Sequence, residues 1–467
     1  MSAERIDFSF LAGSPVAILG LGKSGLATAR ALSASGVEVW AWDDASDARQ
    51  AAAGLPIVDL AQADLCACQL FVLSPGIPHQ YPRPHPTVTL AQKAGCEIVC
   101  DIDLLARAQP DAVYFGVTGT NGKSTVTSLV GHIFAGGERP TQLGGNLGTP
   151  ALGLAPLGGD GAYILELSSY QLELLSTPIF AIAVLINLGT DHLDRHGGLD
   201  GYVAAKSRIF HGQRGQDTAI VGVDDNQTSA IYNYLREQGK QTTIPISARR
   251  RVAGGVYAEA GWLIDDTGGE AVRAVSLAAA VNLPGSHNAQ NAAAAYAVAR
   301  FAGAARETIA QRIPTYPGLA HRQEAIAEID GITFVNDSKA TNAEATARAL
   351  ACYEVIYWIA GGQAKASGIT ALVSELTHIR HAYLIGEAAE SMAAALEGRV
   401  QVTISRHLST AVRQAVEQAR ADGDSSAVVL LSPACASWDQ FANFEARGDA
   451  FRAAVSRLTQ GADEARI

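Results

Sequence analysis

The chain has 467 residues, which at roughly 150 per domain predicts about three domains, each long enough to bury its own core. With 35 Lys and Arg against 46 Asp and Glu, the formal charge is −11, which excludes a protein whose affinity comes from neutralising a nucleic-acid backbone. At 48% hydrophobic and 17% charged residues the composition is that of a globular chain that folds throughout. The first residues lack a basic segment followed by an apolar run, and no stretch reaches about 18 uninterrupted apolar residues. A cytoplasmic protein without a membrane partner is expected. The six cysteines form neither a disulfide framework nor a paired CxxC site, so reduced thiols are expected.

Short β-branched runs alternate with Ala-rich helical stretches along the chain: Val16–Leu19, Leu70–Leu73, Val113–Val117, Ile179–Asn187, Ile332–Asn336, Val355–Ala360, Ala382–Ile385 and Val428–Ser432. That alternation predicts an α/β fold of βαβ units with mainly parallel sheets, in which ligands bind beyond the carboxyl ends of strands. Boundaries near residues 106 and 318 give three segments, 1–106, 107–318 and 319–467. The second boundary rests on the helix-breaking Pro314, Pro317 and Gly318.

In the first segment the strand Val16–Leu19 runs into GLGKSG, Gly20–Gly25, which opens a helix over Leu26–Ser35, and Asp43 and Asp44 end the next strand. This is a phosphate site at a helix N-terminus with carboxylates placed for a ribose hydroxyl or a base edge. The turn alone does not separate a dinucleotide from a nucleotide-sugar. A second turn at Ser74–Ile77 also follows a strand and could face the same ligand.

The second segment opens with Val113–Val117 followed by TGTNGKST, Thr118–Thr125. Its end is that of a phosphate loop: amides wrap phosphate oxygens, Lys123 offsets charge on the outer phosphates, and the Ser124 hydroxyl is set to ligate Mg²⁺. The strict pattern would need glycine where Val117 stands. Glu166 and His192 then follow two apolar runs, a carboxylate and an imidazole suited to a divalent metal beside a nucleoside triphosphate. By itself Lys206 reads as a solvated helix lysine.

These segments resemble the Mur ligases of peptidoglycan synthesis. The resemblance is carried by Thr118–Thr125, GGNLG at Gly144–Gly148, ELSSYQ at Glu166–Gln171, DHLDR at Asp191–Arg195 and LPGSHNAQN at Leu283–Asn291. It continues through His321 and Arg322, NDSKATN at Asn336–Asn342 and SPACASWDQFANF at Ser432–Phe444. It implies a Rossmann-like domain that holds a UDP-sugar, a central P-loop ATPase-type domain, and a Rossmann-like C-terminal domain that holds glutamate. The implied activity is ATP-dependent addition of D-glutamate to UDP-N-acetylmuramoyl-L-alanine through an acyl phosphate. An L-glutamate-adding ligase on the same acceptor is an alternative, ligases of the same group that add L-alanine, a diamino acid, a dipeptide or folate glutamates are the nearest competitors, and a P-loop ATPase module or an NAD-dependent dehydrogenase belongs to other classes.

The resemblance also implies the roles of single residues. Lys23, Ser24, Asp43, Asp44, Ser74 and Gly76 face the UDP-sugar, and Asn146, Ser168 and Gln171 its muramoyl-alanine end. Gly119, Asn121, Gly122, Lys123, Ser124 and Thr125 hold ATP, with Asn288 and Asn291 on the adenine side and His321, Arg322 and Asp337 closing the site. Ser124, Glu166, His192 and Lys206 serve two Mg²⁺ ions, Lys206 as a carbamate formed with carbon dioxide. Lys123, His192, Lys206 and Lys339 are the implied catalytic group. Thr341, Lys365, Ser437 and Phe444 receive glutamate, with Lys339 near the phosphates. Trp438 stands where the family often has a smaller apolar residue, and Ala45 and Ser46 where some members have an arginine near the uracil. Small-molecule partners, no nucleic acid and a monomer are expected.

Overall fold

The computed structural model describes residues 5–177, 179–364, 370–424 and 426–464. Lys365 lies outside the described residues. The chain forms two compact units, Met1–Ala279 with Asn288–Thr315, and Ala280–His287 with Tyr316–Ile467.

The first unit carries two sheets. One is wholly parallel, in the order Val39–Trp42, Val16–Leu19, Leu70–Leu73, Glu97–Val99. The strands Val16–Leu19 and Leu70–Leu73 are buried along their whole length, as expected of apolar runs covered on both faces. The helix after the first strand spans Lys23–Ala34, starting earlier than Leu26 because Gly22 already caps it. Gly25 lets that helix lie against the strand end, since a Cβ there would stand 1.8 Å from the Gly20 carbonyl oxygen.

The second sheet has nine strands, in the order Val272–Ser276, Trp262–Asp265, Val256–Glu259, Thr242–Ser247, Thr218–Gly222, Ile182–Leu185, Val113–Thr118, Ala162–Glu166, Thr141–Gly145. Its core half is parallel, but Val256–Glu259, Trp262–Asp265 and Val272–Ser276 pair antiparallel. Ala260 and Gly261, both at positive φ, form the two-residue turn that demands this, because so short a loop joins only antiparallel neighbours. The run expected over Ile179–Asn187 is a strand only over Ile182–Leu185. One core links the two sheets, from Val16 and Val72 through Leu104, Leu105 and Tyr114 to Leu165 and Val221.

The second unit holds six strands, in the order Glu324–Ile329, Ile332–Asn336, Ala427–Leu431, Val355–Gly361, Ile379–Ile385, Gln401–Arg406. All pairings are parallel except the first, where Asp330 and Gly331 make a second positive-φ two-residue turn. Its two faces are covered by separate clusters, one around Trp358 and Leu384, the other around Phe334, Tyr357 and Phe451. None of the six cysteines is in a disulfide, and among the described residues no helix is long and apolar enough to cross a membrane.

Candidate functional site

The first glycine turn opens on a cavity of about 440 Å³ lined by Lys23, Ser24, Asp43, Asp44, Ser74, Gly76 and Asn146, among others. Seven residues expected at the sugar nucleotide therefore share one wall-to-wall space. Their tasks differ from the simplest reading. Asp43 accepts from the Leu21 amide (2.7 Å) and the Ala45 amide (2.9 Å), so both its oxygens already clasp the two loops. Asp44 is the more exposed carboxylate and accepts from Trp42 Nε1 (3.2 Å). It meets His85 Nε2 at 2.9 Å, and that hydrogen bond is the main reason its carboxyl lies below the usual range. Asp44 and His85 also line an adjoining cavity of about 630 Å³ with Trp42 and Arg83. No motif pointed to His85, which reaches Asp44 from 41 positions away.

The phosphate loop leaves Val113–Thr118 and enters the helix Lys123–Phe134 through Gly122, whose φ of 86° is left-handed. A Cβ at Gly122 would lie 2.1 Å from Asn291 Oδ1, so only glycine allows the loop to rest on the helix Ser286–Phe301. Asn291 in turn donates to Asn288 Oδ1 (3.0 Å), and both are buried. Lys123 Nζ folds back on the Gly119 and Thr120 carbonyls at 2.9 Å each. Ser124 is buried in the first turn, while Asn121 and Thr125 are half-buried. The loop is braced from beneath by side chains to which no role had been assigned. Asn187 Oδ1 accepts from the Asn121 amide (2.9 Å), and Gln290 links Asn187 to Asp224. The Tyr202 hydroxyl meets Thr120 Oγ1 at 3.0 Å.

Glu166 ends the strand Ala162–Glu166 and is 2% exposed. Its Oε1 accepts from Asn146 Nδ2 at 2.8 Å, whereas Oε2 is buried with no hydrogen-bond partner. A buried carboxylate oxygen left this way calls for a partner that the chain does not itself provide. Lys206, in the helix Leu199–Ser207, is also 2% exposed. Its Nζ donates to Thr118 Oγ1 (3.2 Å) and lies 5.0 Å from the Tyr202 ring centre, with no carboxylate at ion-pair distance among the described residues. Burial above all, and then the Lys123 charge, drive its ammonium well below the usual lysine range. The expectation of a solvated helix lysine is thus corrected.

His192 stands at positive φ, half-exposed, 3.5 Å from Asp191 and 5.2 Å from the Tyr170 ring. Burial is the main cause that lowers its imidazole, and the Lys123 and Lys206 charges act in the same direction. Ser168 and Gln171 form a reciprocal cap on the helix Ser169–Leu174, and Gln171 also donates to Asp101 (3.2 Å). Beneath them lies an unanticipated row: Ser169 Oγ to His196 Nε2 (2.9 Å), then His196 Nδ1 to Glu173 (2.5 Å). Among the described residues no three His, Cys, Asp or Glu side chains converge on one point.

In the second unit, NDSKATN follows the strand Ile332–Asn336. His321 Nδ1 accepts from Asn336 Nδ2 (3.0 Å), and Arg322 is half-buried. Lys339 Nζ sits 3.9 Å from the Phe444 ring centre, Thr341 is half-buried, and Ser437 is 2% exposed. Trp438 fills no space in the interior, being 72% exposed. Asp337 is buried and accepts from Ser432 Oγ (2.8 Å) and the Gln323 amide (3.1 Å). Burial pushes its carboxyl up to about 7.

Folding thus raises this acid's proton affinity, so the stability it lends is present below about pH 4 and is lost as the pH rises through about 7. Between about pH 5 and about pH 8, Asp337→Asn is expected to gain on the wild type by about 3 kcal/mol, read as urea midpoints at the two pH values. A gap that stays constant with pH would show the folded chain holds Asp337 ionised throughout.

Comparison with known proteins fits this geometry. Residues 14–100 match the family model described as Mur ligase MurD-like, N-terminal domain. Residues 117–299 match the Mur ligase middle domain, and 321–435 the Mur ligase, glutamate ligase domain. The UDP-N-acetylmuramoylalanine–D-glutamate ligase of Rhodospirillum rubrum is 49% identical over 463 residues, 98% of this chain and 97% of that protein. The ligase of the same name from Paramagnetospirillum magneticum is 50% identical over 458 residues, 98% and 99% of the two chains. Among solved structures, UDP-N-acetylmuramate–alanine ligase MurC from Thermotoga maritima aligns with a TM-score of 0.57 at 15% identity, covering 96% of this chain and all of that one. MurF from Acinetobacter baumannii aligns with a TM-score of 0.53 at 20% identity, covering 79% and 82%. Those two likenesses show the shared fold. Three models matched in chain order, with relatives near half identity along almost the whole length, settle the assignment: this chain belongs to the Mur ligase family.

Proposed function

We propose that the chain uses ATP to join the amine of D-glutamate to the carboxylate of UDP-N-acetylmuramoyl-L-alanine, through an acyl phosphate, in the synthesis of peptidoglycan precursors. The observation that carries this reading is near-full-length identity to ligases that bear that activity in their names. Segment 1–106 is assigned to the UDP-sugar, 107–318 to ATP and Mg²⁺, and 319–467 to glutamate.

The residues present fit ATP and a divalent cation. Glu166 offers a buried oxygen without a protein partner, and Ser124 offers a hydroxyl at the start of the helix after Gly122. Hard oxygen donors, few in number and supplemented by phosphate, are what Mg²⁺ takes. When bound, the cation offsets charge on the phosphates so that a carboxylate can approach them. We assign two ions, held by Ser124, Glu166, His192 and Lys206. Among the described residues the buried Lys206 amine has no carboxylate at ion-pair distance, so it suits reaction with carbon dioxide: nitrogen bonds to the carbon, a proton leaves, and a carbamate anion remains.

The chain's own groups do the rest. Lys123 carries an ammonium tethered to the Gly119 and Thr120 carbonyls, and the amides of Gly119, Gly122 and Thr125 are assigned to the phosphates, while Asn121 contributes by anchoring the loop to Asn187 through its own amide. Asn288 and Asn291 support that loop from the adenine side. Asn146 is placed to hold the acceptor, and Ser168 with Gln171 fixes the helix beside it. Asp44, with Lys23, Ser24, Ser74 and Gly76, is assigned to the nucleotide, and Asp43 acts by holding their loops. His321, Arg322 and Asp337 are assigned to ATP. Lys339, Thr341, Ser437 and Phe444, together with Lys365, are assigned to glutamate. All these sites lie on one chain and serve small molecules, which supports a monomer, and the use of ATP and a UDP-linked acceptor supports a cytoplasmic location.

The test is phosphate release with ATP, Mg²⁺ and the UDP acceptor, comparing D-glutamate, L-glutamate and no amino acid. Turnover is expected only with D-glutamate. Turnover with L-glutamate would transfer the chain to the L-specific ligases, and release with neither would make it an ATPase.

A further inference from the structure

The second unit buries a positive charge that no carboxylate touches, Asp439 acting on it only from a distance. Arg447, in the first turn of the helix Phe444–Glu464, is 1% exposed. Every acceptor of its guanidinium is neutral. Nε donates to Ser338 Oγ (3.0 Å), and Nη2 to the Ser338 and Cys435 carbonyls (2.9 and 3.1 Å). Nη1 donates to the carbonyls of Cys435 (3.1 Å), Ala436 (3.3 Å) and Gly361 (3.4 Å). Among the described residues no carboxylate stands at ion-pair distance from it. Burial lowers the guanidinium to about 10, which leaves it charged at neutral pH.

Burying an ion is costly even after relaxation, and carbonyl dipoles satisfy its donors without cancelling its charge. A brace alone could be built from neutral donors. The charge is kept where three strand-end loops meet: Asn336–Asn342 through Ser338, Gly361–Gly362, and Ser432–Phe444 through Cys435 and Ala436. Ser338 is the neighbour of Lys339, and Ala436 the neighbour of Ser437. Both are residues assigned to the amino-acid substrate and its surroundings.

We infer that Arg447 is a positioning residue that supplies a fixed positive potential beneath these three loops and thereby selects a dicarboxylic amino acid over a neutral one of the same size. This rests on the reading that the loops receive glutamate. Arg447 does not touch the substrate. It sets the field that the substrate's extra carboxylate enters, and in a low-dielectric interior that field is weakly screened.

The test compares the wild type with Arg447→Met and Arg447→Lys in the full ligase assay, using D-glutamate and its neutral amide D-glutamine. In Arg447→Met the preference for glutamate over glutamine in kcat/KM is expected to shrink by about tenfold or more, with the KM values for ATP and the UDP acceptor within about twofold of wild type. Arg447→Lys is expected to keep the preference at about pH 7 and to lose it relative to wild type towards about pH 9, because a lysine buried there gives up its proton. Undiminished preference in Arg447→Met would overturn the proposal and leave a brace. Should that variant not fold, Arg447→Lys decides alone: a preference that tracks wild type at every pH overturns it. Wild-type turnover that ignores glutamate would instead defeat the functional reading, which the same plate of assays shows separately.

Discussion

Glu166→Gln is expected to lower ligase turnover by about a hundredfold while leaving the fold intact or slightly firmer. The substitution preserves shape, and its remaining carbonyl still accepts from Asn146 as Glu166 Oε1 does at 2.8 Å. What it removes is the charge on an oxygen that is buried and has no protein partner. A stability optimum would not leave that oxygen so, and relieving it should hold or raise the melting temperature. The same change strips the proposed cation site of its one fully buried carboxylate, so the Mg²⁺ concentration for half-maximal turnover should rise by about tenfold. Wild-type turnover at unchanged Mg²⁺ would show that Glu166 serves only as the anchor for Asn146.

Lys206→Ala is expected to lose about a hundredfold or more, and Lys206→Glu to regain part of it, since a carboxylate can stand in for a carbamate. The argument begins from an amine that is 2% exposed, bonded to Thr118 Oγ1 at 3.2 Å and paired with no carboxylate. A structural lysine in that position would be replaceable by an apolar side chain with no loss of rate. A carbamate has its own signature: isotope-labelled bicarbonate should give a carbonyl resonance that vanishes in Lys206→Ala. Full activity in Lys206→Ala, or an unchanged spectrum, would refute the assignment.

What could be read in advance follows from how each feature is encoded. Val16–Leu19, Leu70–Leu73 and Ile332–Asn336 fall at the expected residues because strands buried on both faces are written as uninterrupted apolar runs. The antiparallel strands around Trp262 escaped, since their alternation is diluted by charged and small residues. Their turn at Ala260–Gly261 is a weak signal. Asp330–Gly331, by contrast, is a strong hairpin signal. In the site, Glu166 and Lys123 were legible because each follows a strand in a recognisable string. His85, Glu173 and Arg447 were not, because each acts on a partner tens to more than a hundred positions away and no local pattern records such a meeting.

Asn146 makes the two halves of the first unit's chemistry inseparable by mutation. Its side chain borders the cavity assigned to the nucleotide-linked acceptor and, with the same amide, holds the carboxylate assigned to the cation. A replacement at this position confounds acceptor recognition with metal recognition, so the two can be told apart only by substituting their other members, Asp44 on one side and Ser124 on the other.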